Sequence, residues 1–306
     1  MDVIRKELIE FGLKGSQLVE LPIEESKESA YAIEVDKSNK YELWEHFNHI
    51  KSKTGFTPVV TTFWGASSGS WLDALKEEDL FMRFPYEGED DTLDISPKAI
   101  IERSKTSSYS ALLDEHNAIY SEDLVDHMEF VLDSLQETFG KSPSEKEILE
   151  LMSKGDIKSY FEFEGWILKW QIKEERGLKQ NEDNDSYLDW FNPEGQVEAL
   201  ILLPIQFSYD VLAYIHWFGA ENLSTEASIA MLRHWNEAYG AELVAHYGTM
   251  LHLKTRNRPS SILDAFNLAK EQESFAPCTT ALPGASLRDL TFALMKRDLW
   301  FLHERP

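Results

Sequence analysis

The sequence predicts a mixed α/β (α+β) protein: a mixed sheet with flanking helices and a mostly helical, acidic insertion. Three observations carry this. A strand–helix–strand pattern lies near the N-terminus, strand-like apolar runs return after Gly195, and between them helical periodicity takes over while the charge turns sharply negative. The chain has 306 residues, 42% of them apolar, with 17 Phe, 11 Tyr and 9 Trp. A chain of this length buries roughly three quarters of its unfolded surface, so neither a disulfide nor a metal is needed to hold a core.

In chain order, Tyr31–Val35 reads as a strand by its β-branched and apolar content. Leu43, Trp44, Phe47 and Ile50 recur at helical spacing over residues 40–52, ending near Gly55. Thr57–Phe63 reads as a second strand. Strand, helix and strand at this length form a βαβ unit, which implies parallel strands. Residues 1–64 make up this N-terminal region.

Residues 65–195 hold 31 acidic residues against 13 basic ones, a net charge of −18. Ser121 is a candidate cap for a helix with Leu124, Met128, Val131 and Leu135 on one face and Gly140 past its end. Ser142-Pro143-Ser144-Glu145 has the form of a capping box and opens a helix bearing Ile148, Leu149 and Met152. Trp166, Ile167 and Trp170 mark another helix before Gly177. Two loops are densely acidic: Glu87, Glu89, Asp90, Asp91 and Asp94, then Glu182, Asp183, Asp185 and Asp189.

Residues 196–306 return to α/β patterning. Ala199–Ile205 and Val211–Phe218 read as strands. Ser224 caps a helix with Ile229, Leu232 and Trp235, stopped by Gly240. Glu242–His246 and Met250–Lys254 flank Tyr247-Gly248-Thr249 and read as a hairpin. A helix follows Pro259-Ser260-Ser261. Ser286-Leu287-Arg288-Asp289 is a second box-like cap, and Leu299–Leu302 is a last strand. The N-terminal unit and these strands are expected to share one sheet; two separate domains joined through the insertion are the alternative.

The C-terminal third carries a family likeness. It lies in Ala213–Asn222, in Met231–Val244 with its helix-then-strand phrase, in Arg258-Pro259, and in Ala265–Gln272. Together these resemble the bacterial domain-of-unknown-function 4253 family. Trp44 through Thr54-Gly55 to Pro58-Val59-Val60 is similar to segments that precede that domain in longer members. Members typically show a Tyr-Cys-Pro-Asp phrase and end on Trp-aromatic-Phe-Trp-Trp-Asp. Here Phe275-Ala276-Pro277-Cys278 and Leu299-Trp300-Phe301-Leu302-His303-Glu304 stand instead, with the Cys and Asp out of register. The resemblance implies a fold-level grouping and no activity.

Composition excludes some functions. The formal net charge of −24 repels a polyanion and lacks the basic footprint that nucleic-acid binding requires. The longest apolar runs fall far short of the ~20 residues that span a bilayer. A charged N-terminus and a single cysteine, Cys278, point to a reducing, cytoplasmic compartment.

Candidate chemistry is sparse. Gly65-Ala66-Ser67-Ser68-Gly69 matches the G-x-S-x-G nucleophile elbow and sits between a strand and a possible helix. A hydrolase would place Ser67 beside His252 or His303 and Asp210 or Asp264, although a plain glycine–serine loop reads the same way. His46 and His49, with Glu42 and Glu45, share a helix without a third metal ligand of obvious spacing, and read as a solvated face. His246 and His252 read as surface or half-buried. The acidic loops, with Glu87, Glu89, Asp90, Asp91, Asp183 and Asp185 as candidate binding residues, lack the calcium-loop pattern. Cys278 has no nearby His and reads as an indifferent thiol. Arg256 and Arg258 form a compact basic pair suited to a small anion or an acidic partner. The phrase from Thr138 to Leu151 echoes a helix-turn-helix start, but its charge argues against DNA.

No cofactor and no metal are expected. The reading that fits best is a non-catalytic interaction protein, in its specific form an immunity- or antitoxin-like protein that engages a basic effector. A serine hydrolase using Ser67 and a small-anion binder using Arg256 and Arg258 are the alternatives.

Overall fold

The computed structural model describes residues 2–13, 15–23, 26–36, 38–63, 71–77, 80–81, 93–174, 197–220 and 223–305. Strands are β1 (Leu18–Pro22), β2 (Ser29–Glu34), β3 (Thr57–Phe63), β4 (Val197–Leu203), β5 (Glu242–His246), β6 (Met250–Lys254) and β7 (Leu299–His303). Helices up to the start of β4 are α1 (Asp2–Glu10), α2 (Lys40–His49), α3 (Lys51–Thr54), α4 (Trp71–Glu77), α5 (Pro97–Ser104), α6 (Ser110–Glu122), α7 (Leu124–Phe139), α8 (Glu145–Lys154) and α9 (Tyr160–Lys173). Those after it are α10 (Thr225–Tyr239), α11 (Ile262–Phe275), α12 (Cys278–Ala281) and α13 (Leu287–Lys296). The fold is mixed α+β, with flanking helices around a mixed sheet.

The chain divides into two compact units. The first comprises Met1–Tyr109, Phe191–Asn257 and Asp298–Pro306. Its sheet has the strand order β1-β2-β4-β3-β5-β6-β7, so N-terminal and C-terminal strands share it. β2 and β3 each pair antiparallel with β4. They therefore run parallel, as a βαβ unit requires, but β4 lies between them. β3 also pairs parallel with β5. Every residue of β3 is buried, which explains its unbroken run of apolar and threonine residues. Its threonines satisfy their hydroxyls on carbonyls: Thr57 donates to Ile205 at 2.7 Å, Thr61 to His246 at 2.8 Å and Thr62 to Val197 at 3.0 Å.

Side chains alternate across the sheet, and the register places Glu198, Val60 and His252 on one face. Helix α2 covers it. Lys40 Nζ donates to Glu198 at 2.8 Å, Tyr41 Oη lies 3.3 Å from His252 Nδ1, and the Trp44 indole donates to the Pro58 carbonyl at 3.0 Å. The opposite face packs on a 3-10 segment, Ser208–Ala213, and on α10, where Trp235 meets Trp300 edge-to-face.

The second unit comprises Ser110–Trp190 and Arg258–Arg297. Among its described residues the elements are helical. Met128, Val131, Leu132 and Leu135 form one stripe of α7 and pack on Ile148, Ile157, Phe163 and Ile167. Helix α11 packs on α6 and α13, and α9 on α6 and α13.

Several local expectations are corrected. Val211–Phe218 is not a strand: Ser208–Ala213 forms a 3-10 turn whose Ser208 hydroxyl accepts the Leu243 amide at 3.0 Å. A fully buried apolar run has no period to separate a strand from a tight helix. Ser121 does not cap α7. It lies inside α6, donates to the Asn117 carbonyl and accepts the Tyr160 amide at 2.9 Å, and Asp123 occupies the cap position. Helix α8 starts one residue after Ser144, which makes no side-chain cap bond, so Ser142 and Pro143 precede the helix. The helix over residues 40–52 breaks at Ile50 into α2 and α3 before ending at Gly55, whose φ of 79° is left-handed.

Candidate functional site

Helix α9 opens on Ser159, whose hydroxyl accepts the Glu162 amide. Its buried positions are Tyr160, Phe163, Glu164, Ile167, Leu168 and Gln171. The spacing is that of one amphipathic stripe, yet two members are polar. Glu164 is buried at 1% exposure and must find partners. His127, from α7, lies 2.8 Å from Oε1, and Arg288, in the first turn of α13, donates to Oε2. Burial alone would raise the Glu164 pKa, but the Arg288 guanidinium and His127 outweigh it and hold the carboxyl below its ordinary value.

Arg288 is fixed by the start of α13. Ser286 and Asp289 form a reciprocal capping box, with the Ser286 hydroxyl accepting the Asp289 amide at 3.1 Å and the Asp289 carboxylate accepting the Ser286 amide at 2.9 Å. Beside this pair lies a second buried carboxylate, Glu273 of α11. It accepts from Thr280 at 3.0 Å and from Tyr160 Oη at 3.0 Å, with His116 Nε2 at 3.4 Å. Burial, followed by the Glu273 charge, pushes the Tyr160 phenol well above its usual range, so it stays a donor.

Glu164, His127, Arg288, Glu273, Thr280 and Tyr160 line a cavity of about 540 Å³, together with Tyr120, Phe130 and Phe139. A volume of a few hundred Å³ with few, convergent polar groups is typical of a ligand site. Outside it, helices α6 and α7 present a distinctive surface. Residues 110–139 contain eight carboxylates and no lysine or arginine. All eight (Asp114, Glu115, Glu122, Asp123, Asp126, Glu129, Asp133 and Glu137) are exposed. Among them stand Phe130 at 72% exposure, Ile119 at 57%, Val125 at 48% and Tyr120 at 42%.

Sequence reasoning missed Glu164, Glu273 and Arg288. The available signal was a charged residue centred on an apolar helical stripe, at Glu164 and at Glu273. Of the residues it singled out, Ser67, Glu87, Glu89, Asp90, Asp91, Asp183 and Asp185 lie outside the described residues. Arg256 pairs with Glu242, whose other oxygen accepts from Lys51 at 3.1 Å. Burial would raise the Glu242 pKa, but Lys51 and Arg256 prevail and lower it. Clefts of about 420 and 610 Å³ flank this trio. Arg258 is exposed and falls in the second unit.

His46 lies 3.4 Å from Glu7, while His49 is exposed. Among the described residues, no group of three or more His, Cys, Asp or Glu side chains is placed to hold a metal. Contrary to expectation, His246 and His252 are buried, at 1% and 5% exposure. Asp210 and His303 are buried in the first unit, while Asp264 of α11 accepts the Ser260 amide at 2.7 Å. Among the described residues, no helix is long and apolar enough to cross a membrane.

Residues 199–303 match the family described as Domain of unknown function (DUF4253). The match runs from β4 through β7, so it includes Glu273, Thr280 and Arg288. Residues 30–63 lie outside it, as do α6 to α9 with His127, Tyr160 and Glu164. No curated protein and no solved structure matches the chain.

Proposed function

We propose that this chain is a non-catalytic interaction protein that captures a basic protein partner through α6 and α7. Its specific form is immunity- or antitoxin-like, with a basic effector as the target. One observation carries the reading: exposed Ile119, Tyr120, Val125 and Phe130 stand within a field of eight exposed carboxylates with no lysine or arginine in residues 110–139. An aromatic anchor in a charged surround supplies both affinity and steering. Solvated acids serve solubility by themselves, but solubility gives no reason to expose a phenylalanine at 72%.

The test compares the chain with a variant carrying Asp126→Asn, Glu129→Gln, Asp133→Asn and Glu137→Gln, and with Phe130→Asp. Partners are captured from host lysate, identified, and titrated by calorimetry at about 50 and about 500 mM salt, where screening differs several-fold in range. The expected partner is basic, and its affinity falls about ten-fold or more with salt and in both variants. Binding indifferent to salt and to the four neutralisations overturns the reading.

A further inference from the structure

We propose that the 540 Å³ cavity bounded by α7, α9, α11 and α13 is a binding site for an organic cation, an alkylammonium or guanidinium group, with Glu273 as its counter-ion. Three carboxylates, Glu164, Glu273 and Asp289, line the cavity against one guanidinium, Arg288. That guanidinium is committed to Glu164, which also engages His127. Glu273 is held differently. Its partners are two hydroxyls and a ring nitrogen, and among the described residues it makes no ion pair with lysine or arginine. A buried carboxylate without a strong cation is costly, and a cationic ligand removes that cost.

Gln171 lines the cavity at 3% exposure, and its Oε1 is buried with no hydrogen-bond partner. Unsatisfied buried acceptors are rare in native proteins, and an N–H donor on the ligand satisfies this one. Tyr120, Phe130, Phe139 and Tyr160 are among the lining residues, and aromatic rings attract ammonium and guanidinium groups more strongly once water is displaced. One feature points the other way: Arg288 Nε is also buried without a partner, as an anion would want. Three carboxylates and the acidic exterior outweigh a single N–H whose charge is already neutralised.

The cation comes either from a free small molecule or from a lysine or arginine side chain of the basic partner. Only that second source rests on the interaction reading above. The experiment titrates the full chain with agmatine, which carries both groups, and with succinate as the anionic control, by calorimetry and thermal unfolding. Agmatine is expected to bind and to raise the melting temperature, and succinate to do neither. Glu273→Gln weakens agmatine about ten-fold or more through loss of the counter-ion. Tyr120→Ala, at an exposed lining position, weakens it several-fold.

Competition between agmatine and the captured partner assigns the cation to the partner's side chain. Simultaneous binding of both assigns it to a free molecule. Agmatine binding that survives in the variant with four neutralised carboxylates supports the cavity even where partner capture fails. Absence of agmatine binding at millimolar concentration, or equal binding by wild type, Glu273→Gln and Tyr120→Ala, overturns the proposal.

Discussion

At the scale of single residues, the pairing of Glu164 with Arg288 sets the largest local stake. Both side chains are buried, at 1% and 4% exposure. Removing one partner of a buried pair leaves the other charge uncompensated and costs about 3–5 kcal/mol, whereas replacing both costs far less. Arg288→Ala is therefore expected to lower the unfolding free energy of the helical unit by that amount. The double variant Glu164→Gln, Arg288→Met should recover most of the loss, with denaturant titration as the check. Equal losses in the single and double variants would mean that packing, not charge, dominates at this point. Arg288 was hard to see in sequence because it sits in a helix-opening motif that reads fully as a cap. Its partner lies 124 residues away.

At the scale of elements, local chemistry decided which boundaries could be read in advance. Ser224, Ser261 and Ser286 each accept a backbone amide at the start of a helix, and Gly240 ends α10 in the left-handed region with φ 65°. Such ends are written in a few adjacent residues. Ser144 occupies the same position at the start of α8 and makes no side-chain cap bond. Ser286→Ala should accordingly cost about 1 kcal/mol and Ser144→Ala a few tenths at most, measured by thermal unfolding. What local pattern could not supply was the contact that overrides it. The start of the run 211–218 belongs to the 3-10 segment Ser208–Ala213, whose Ser208 hydroxyl accepts the amide of Leu243 in β5. The two helices α6 and α7 meet where a capping serine was expected, because that serine instead holds Tyr160. The candidate cavity stayed hidden for the same reason, since its walls come from both sides of the long β4–β6 excursion in sequence.

At the scale of the molecule, buried titratable groups fix how the sheet unit responds to acid. Burial, with help from His216, depresses the His246 pKa to about 3; burial, with help from Lys40, takes His252 to about 4. A histidine whose folded pKa is depressed contributes stability in full above the unfolded value of 6.5, and loses it as pH falls toward the folded value. Asp210 acts in the opposite sense. Burial raises its pKa from 3.8 to about 6, so over that range the folded state, not the unfolded one, takes up its proton. For these three groups two protons against one leave about one, and His216 and His303, whose pKa values burial also lowers, act in the same sense as His246 and His252, so stability should fall by at least roughly 1.4 kcal/mol per pH unit between about pH 6 and pH 4. Asp210→Asn removes the opposing proton and should steepen the slope toward two protons. Hydrogen exchange of the β5 and β6 amides across this range reads both slopes. An unchanged slope in the variant would show that Asp210 stays ionised in the folded protein.

The position of β4 between β2 and β3 has a consequence for how the chain is made. On the ribosome, both flanking strands emerge early, yet β3 has no strand neighbour, and β2 only β1, until Leu203 leaves the exit tunnel. At translation rates of about 5–20 residues per second, that interval is on the order of 10 s. Throughout it, the central, fully buried strand β3 has no partner from β4 or β5, in a sequence rich in threonine and valine. The nascent N-terminal segment is thus a natural client for chaperones. Chains arrested before β4 should be cut readily by protease within β2 and β3, and those arrested well past β5 should resist.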